Sequence, residues 1–189
     1  MAYCSKYVDN IDNRYTVIIG DGETAEGQVW EAATFASFYK LDNIVAFLDV
    51  NRYGQSTVCM FEHDVENYRA KFQAFGWNTI TIDGHDVAEV ILALEWAKQN
   101  KGAPSIIIAK TYKGKNLSEN IENKDWHGKP LGEYHDAAVA YLKSIIKDPK
   151  AILPTNKPEK TGVRPEKREA FKIIPNEYPK GKNLILSLR

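Results

Sequence analysis

The sequence predicts an α/β fold: three layers, with a mostly parallel sheet and helices on both of its faces. Two observations carry that prediction. Short β-branched apolar runs alternate with helix-period segments of about a dozen residues along residues 1–146, the pattern of strands joined by helical crossovers. Each apolar run also ends in a polar or glycine-rich loop, and open parallel sheets gather such loops at the carboxyl edge of their strands. A third observation sets the limit of the domain, because the composition changes beyond residue 146.

The elements follow in order. Tyr15-Thr-Val-Ile-Ile19 reads as a strand entering the turn Gly20-Asp21-Gly22. Thr24 to Lys40 has helical spacing, with Val29, Ala33 and Ala36 on one face and Glu23, Glu26 and Glu31 toward its amino-terminal half. Asn43 to Val50 is a second strand, bounded by Asn51-Arg-Tyr-Gly54. Glu62 to Phe75 repeats Val65, Tyr68, Phe72 and Phe75 at helical spacing, and Gly76 stops it. Thr79 to Ile82 is a third strand, ending in Asp83-Gly84-His85. Val87 to Gln99 is an amphipathic helix with Val90, Ile91, Leu94 and Ala97 predicted inward. Ser105 to Ala109 is the fourth strand, followed by the loop Lys110 to Lys115, and Tyr134 to Ile146 forms a closing helix. Helix cover on both faces explains strands that are apolar throughout.

The 189 residues carry 25 Lys/Arg and 25 Asp/Glu. A net charge of zero gives no global basic surface for nucleic acid. The charge is unevenly placed, since residues 147–189 hold 11 Lys/Arg against 5 Asp/Glu together with six of the eight prolines. Prolines remove backbone donors and fix φ, so this stretch reads as an extended basic linker that packs poorly. No apolar run approaches the roughly 18 residues that span a bilayer, and the start of the chain shows no secretory h-region. Cys4 and Cys59 form no CxxC pair, which suggests a reducing, cytoplasmic setting.

The four loops that follow strands bring an acid, an amide, glycines and lysines to one edge. Gly20-x-Gly22-x-x-Ala25 fits a loose dinucleotide fingerprint, with Asp49 as the ribose-binding acid. Asp21, however, lies where a pyrophosphate would meet the backbone, and its carboxylate repels that group unless a cation intervenes. Mg²⁺ takes hard oxygen ligands and commonly shares them between protein and phosphate. Asp21 and the amide oxygen of Asn51, 30 residues apart on adjacent loops, suit it, and a backbone carbonyl near Tyr53 completes the set. Metal–diphosphate binding, nicotinamide binding and a purely structural turn all remain open on these residues. No HxxxH or Cys/His cluster supports zinc.

The Gly20-Asp21-Gly22 and Asn51 pair resembles the thiamine-diphosphate motif. The wider text is similar to the diphosphate-binding domain of transketolases, particularly the animal type. It comprises Gly20 to Glu31, Leu41-Asp-Asn-Ile, Asp49 to Ser56, Phe75-Gly-Trp, Asp83-Gly-His, Lys110 to Gly114 and Trp126-His-Gly-Lys-Pro130. The similarity spans about residues 1–146, so the resemblance implies a partial thiamine-diphosphate-binding fold there and a connector over 147–189. It implies that Asp21, Asn51 and the Tyr53 carbonyl bind Mg²⁺ (Ca²⁺ or Mn²⁺ being alternatives) and that Gly22 contacts the diphosphate. Gln55 would lie near the thiazolium, and Lys113 and His127 would approach the cofactor or the sugar, His127 as the substrate-contacting catalytic residue. Glu26 and Glu31 resemble acids near the interface of a homodimer.

The implied activity is transfer of a two-carbon ketol unit between sugar phosphates, with no nucleic-acid or membrane partner. Each residue also has a plain alternative: Glu26 and Glu31 complement a helix terminus, His127 is an ordinary loop residue, and Lys113 and Lys115 are solvated around Gly114. Trp126 reads as packing, and His63 and His135 sit in polar helical positions without a role. Met1-Ala-Tyr is similar to an internal segment of the family. The chain is therefore expected to be a fragment that lacks upstream histidines and the glutamate of the pyrimidine-binding domain. On that basis it is expected to be inactive alone. A non-catalytic metal–diphosphate or partner-binding domain is the alternative function.

Overall fold

The computed structural model describes residues 1–118 and 120–146, and they fall within one compact unit. The predicted linker at 147–189 lies outside the described residues. Four strands, β1 (Tyr15–Gly20), β2 (Ile44–Val50), β3 (Asn78–Asp83) and β4 (Ser105–Lys110), form one sheet in the order β1-β2-β4-β3. Every pairing is parallel, as the alternation of elements predicts.

Side-chain alternation along the strands builds two cores. Ala46, Leu48, Val50, Ile106 and Ile108 face α2 (Gly27–Phe38) and α3 (Val65–Ala74), meeting Ala33, Ala36, Tyr68 and Phe72. Val45, Ile107, Ala109 and Ile82 face α4 (Val87–Gln99) through Ala93 and Ala97. Helices thus cover both faces. β4 is buried along nearly its whole length, which explains its uninterrupted Ile-Ile-Ile run.

Several boundaries depart from the expectations. A six-residue helix, α1 (Ala2–Tyr7), precedes β1 and shows no side-chain cap. Residues Asp21–Ala25 form a 3₁₀ turn, so α2 begins at Gly27 rather than at Thr24. The cause is local: the Glu23 carboxylate accepts the Gly20 N–H at 2.6 Å and closes a separate turn. His63 precedes α3 instead of lying within it, because the Asp64 side chain caps that helix by accepting the Asn67 N–H. On α4, Ile91 faces outward with Val87 and Leu92, while Ala93 and Ala97 supply the inward face. β1 is an edge strand, and Ile18 is 76% exposed despite its apolar sequence. The closing helix α5 runs from His135 to Ile145. Among the described residues no helix is long and apolar enough to cross a membrane.

Candidate diphosphate-binding site

The site is built from loops following β1, β2 and β4, which are consecutive neighbours in the sheet. Asp21 is 2% exposed. One of its oxygens accepts the Gly22 N–H at 2.8 Å and faces the Cys59 thiol at 3.2 Å, and the other accepts the Arg52 N–H at 2.6 Å. The last bond ties the first motif loop directly to the second. Arg52 adopts φ +68° at this bond, a left-handed conformation that costs a non-glycine residue about 1–2 kcal/mol. Burial pushes the Asp21 pKa up, the three donors oppose that rise, and the neighbouring Asp49 charge adds to it.

Asn51 is held at both ends of its amide. Its nitrogen donates to Asp49 Oδ2 at 2.9 Å and its oxygen accepts the Tyr53 N–H at 3.0 Å. The other Asp49 oxygen accepts the Thr111 hydroxyl, so β2 and β4 are joined at their ends. With both oxygens engaged inside the loops, Asp49 is not presented to a ribose, and the dinucleotide reading loses its acid. Tyr53 is buried; its hydroxyl donates to the Asn123 carbonyl at 2.7 Å and accepts from Arg52 at 2.9 Å.

Asp21, Gly22, Gly54, Gln55, Cys59 and Tyr68 line a cavity of about 590 Å³. A Cβ on Gly22 would stand 3.4 Å from Gly54 Cα and 3.6 Å from Cys59 Sγ, narrowing the gap between the two motif loops. The buried Tyr68 hydroxyl has no hydrogen-bond partner among the described residues. Desolvation, the hydrogen bond to Asp21 and the Asp21 charge together push the Cys59 thiol up to about 12.

The structure therefore brings Asp21, Gly22 and Gln55 to one cavity and sets Asn51 and Tyr53 on the loop bonded to Asp21. Lys113 follows β4, is half-buried, and its ammonium makes no hydrogen bond or ion pair among the described residues. Lys115, by contrast, pairs with Glu122 at 3.3 Å. His127 is exposed and does not line the cavity. Glu26 and Glu31 are exposed as well, Glu26 at the residue before α2. Trp126 packs edge-on against Tyr134, in line with a packing role. Two residues without an assigned role, His63 and His85, reach the start of the Lys113 loop through Thr111 and Tyr112. No sequence spacing marks them, since their convergence depends on β3 lying beside β4.

An α/β sheet with this loop edge defines a cofactor-binding domain, and residues 2–151 match the profile of the transketolase, thiamine diphosphate binding domain. The chain belongs to the transketolase family. It is 48% identical to transketolase-like protein 2 of Bos taurus over 155 residues, covering 82% of this chain and 25% of that protein. Human transketolase is 44% identical over 156 residues, with the same coverage. Among solved structures, transketolase from Campylobacter jejuni aligns with a TM-score of 0.62 and 34% identity over 72% of this chain and 21% of its own. The chain spans about a quarter of the length of these curated relatives.

Proposed function

We propose that this domain holds the Mg²⁺–diphosphate end of thiamine diphosphate and that the parent protein transfers a two-carbon ketol unit between sugar phosphates in the cytoplasm. The observation that carries the reading is the 2.6 Å bond between the Asp21 carboxylate and the Arg52 N–H. It places the acid of the first loop against the loop that holds Asn51 and Tyr53. The donor set consists of oxygens only, one carboxylate, one amide and one backbone carbonyl, which fits Mg²⁺. Asp21, Asn51 and the Tyr53 carbonyl would hold the ion, the Gly22 backbone would approach the diphosphate, and Gln55 would face the thiazolium. Thiamine diphosphate supplies the electron-sink chemistry when bound, and the protein supplies orientation and electrostatics. The Lys113 ammonium, unpaired among the described residues, is assigned to a phosphate or sugar and His127 to the substrate side, while Lys71 lines the cavity itself. Exposed Glu26 and Glu31 suit a subunit interface of a homodimer.

Calorimetry tests the assignment. The chain should bind diphosphate only with Mg²⁺, and Asp21→Ala should weaken that Mg²⁺-dependent binding; unchanged binding in the variant would refute the site. We propose further that the 189-residue chain alone does not turn over substrate. Asp21 is the only acid lining the cavity among the described residues, so no second carboxylate is available there for proton transfer, a loss worth about 10²–10⁴ in rate. Purified chain supplied with Mg²⁺ and thiamine diphosphate should show no ketol transfer between pentose phosphates. Turnover free of contaminating enzyme would overturn this.

A further inference from the structure

Two histidines from different loops grip the two ends of one peptide bond. The Thr111 carbonyl lies 2.9 Å from His63 Nε2, and the Tyr112 N–H donates to His85 Nε2 at 2.8 Å. A carbonyl only accepts and an amide N–H only donates. His63 must therefore carry a proton on Nε2, whereas His85 must present a bare Nε2 with its proton on Nδ1. The Tyr112 ring completes the arrangement: His85 stacks on it at 6.3 Å and 14°, His63 meets it edge-on at 4.9 Å, and the Lys115 ammonium sits 4.8 Å from its centre.

We propose that His63 and His85 are positioning residues that clamp the Thr111–Tyr112 peptide and thereby aim the Lys113 loop at the diphosphate site. The location of that peptide supports the role. Thr111 donates its N–H to the Val50 carbonyl at 3.1 Å and its hydroxyl to Asp49, so its upstream side is fixed to the metal loop. On the downstream side, the Lys113 carbonyl accepts the Asn123 N–H at 2.7 Å, and the Asn123 carbonyl accepts the Tyr53 hydroxyl. The Thr111–Tyr112 peptide is the joint between these two anchors, and the histidines stop it from turning. Gly84 makes the His85 arm reach, because a Cβ there would lie 2.4 Å from Thr111 Cγ2 and force the β3–α4 loop outward.

The functional part of this proposal rests on the diphosphate reading above; the clamp itself does not. The test uses the full chain, with hydrogen exchange read at the Tyr112 amide and calorimetry with Mg²⁺ and inorganic diphosphate as the probe. His85→Phe keeps a ring against Tyr112 and removes the acceptor, while His85→Gln returns an acceptor at a similar reach. Loss of one ordinary hydrogen bond should speed exchange about tenfold and weaken probe binding severalfold, and His85→Gln should recover most of both. His63→Phe and His63→Gln form a second, independent pair that restores a donor instead. Unchanged exchange in both Phe variants, or Gln variants as impaired as Phe, would overturn the clamp. Faster exchange with unchanged affinity would overturn the positioning role. Wild-type chain that shows the clamp in exchange but fails to bind the probe would refute the diphosphate reading and, with it, the positioning role, leaving the clamp standing.

Discussion

At the scale of single residues, Asp21 and Cys59 share one hydrogen bond, and each alters the other. The thiolate is the reactive form of cysteine, and a thiol held at about 12 is ionised to only about one part in 10⁴ at pH 8. Cys4 is exposed. Thiol titration at pH 8 should therefore resolve a fast Cys4 phase from a much slower Cys59 phase, and Asp21→Ala should accelerate the slow one; a single phase for both thiols would contradict the geometry. That Asp21 and Asn51 sit on adjoining loops was legible in the sequence, because an acid between glycines and an amide after the next strand both follow strand ends. The role of Asp49 was not, since an acid at a strand end serves a ribose or a neighbouring amide equally well. Only the positions of Asn51 and Thr111 decide between them.

Among the elements, strands and α4 were read closely because burial and capping are local signals. Asp86 accepts the Ala88 and Glu89 N–H groups and starts α4 where the pattern begins. The short α1 carried no such signal, since distant partners hold it. Lys6 pairs with Asp42 at 2.7 Å, Tyr7 donates to the Tyr39 carbonyl, and Tyr3 packs against Phe35 and Tyr39. Burial raises the Asp42 pKa, but the Gly102 N–H, the Lys6 hydrogen bond and the Lys6 and Lys101 charges outweigh it, so the carboxyl titrates below its ordinary 3.8. A depressed acid contributes stability above its unfolded pKa and loses it as pH falls through the folded value. Asp42→Asn should therefore cost about 0.5–1 kcal/mol at pH 7. In denaturant titrations that gap from wild type should close as the solution is acidified through that range; a gap unchanged by acid would discount the ion pair. Gly84→Ala should lower stability by about 1–3 kcal/mol through overpacking against Thr111 and Ala109, visible as a reduced melting temperature.

For the whole molecule, the site draws on three strands, so a ligand bound there is linked to unfolding of the entire sheet. Mg²⁺–diphosphate at 100 times its dissociation constant should add about 2.7 kcal/mol, seen as a higher melting temperature in wild type and no shift in Asp21→Ala. Two exposed apolar side chains have a measurable counterpart too. Ile18 and Phe38 are 76% and 77% exposed, and replacing both by lysine should reduce binding of a hydrophobic dye without lowering the melting temperature. The strand order also bears on how the chain reaches its fold. Among the described residues, β4 is the last strand in sequence yet lies between β2 and β3, and β3 pairs with no strand but β4. Without residues 105–110, β3 lacks its partner among the described strands, and β1 and β2 make only a two-stranded ribbon, which is marginal in water. The strand order thus predicts that the sheet of the 189-residue chain closes on insertion of β4 rather than strand by strand. A chain halted at residue 104 should bind dye strongly and melt without a cooperative transition.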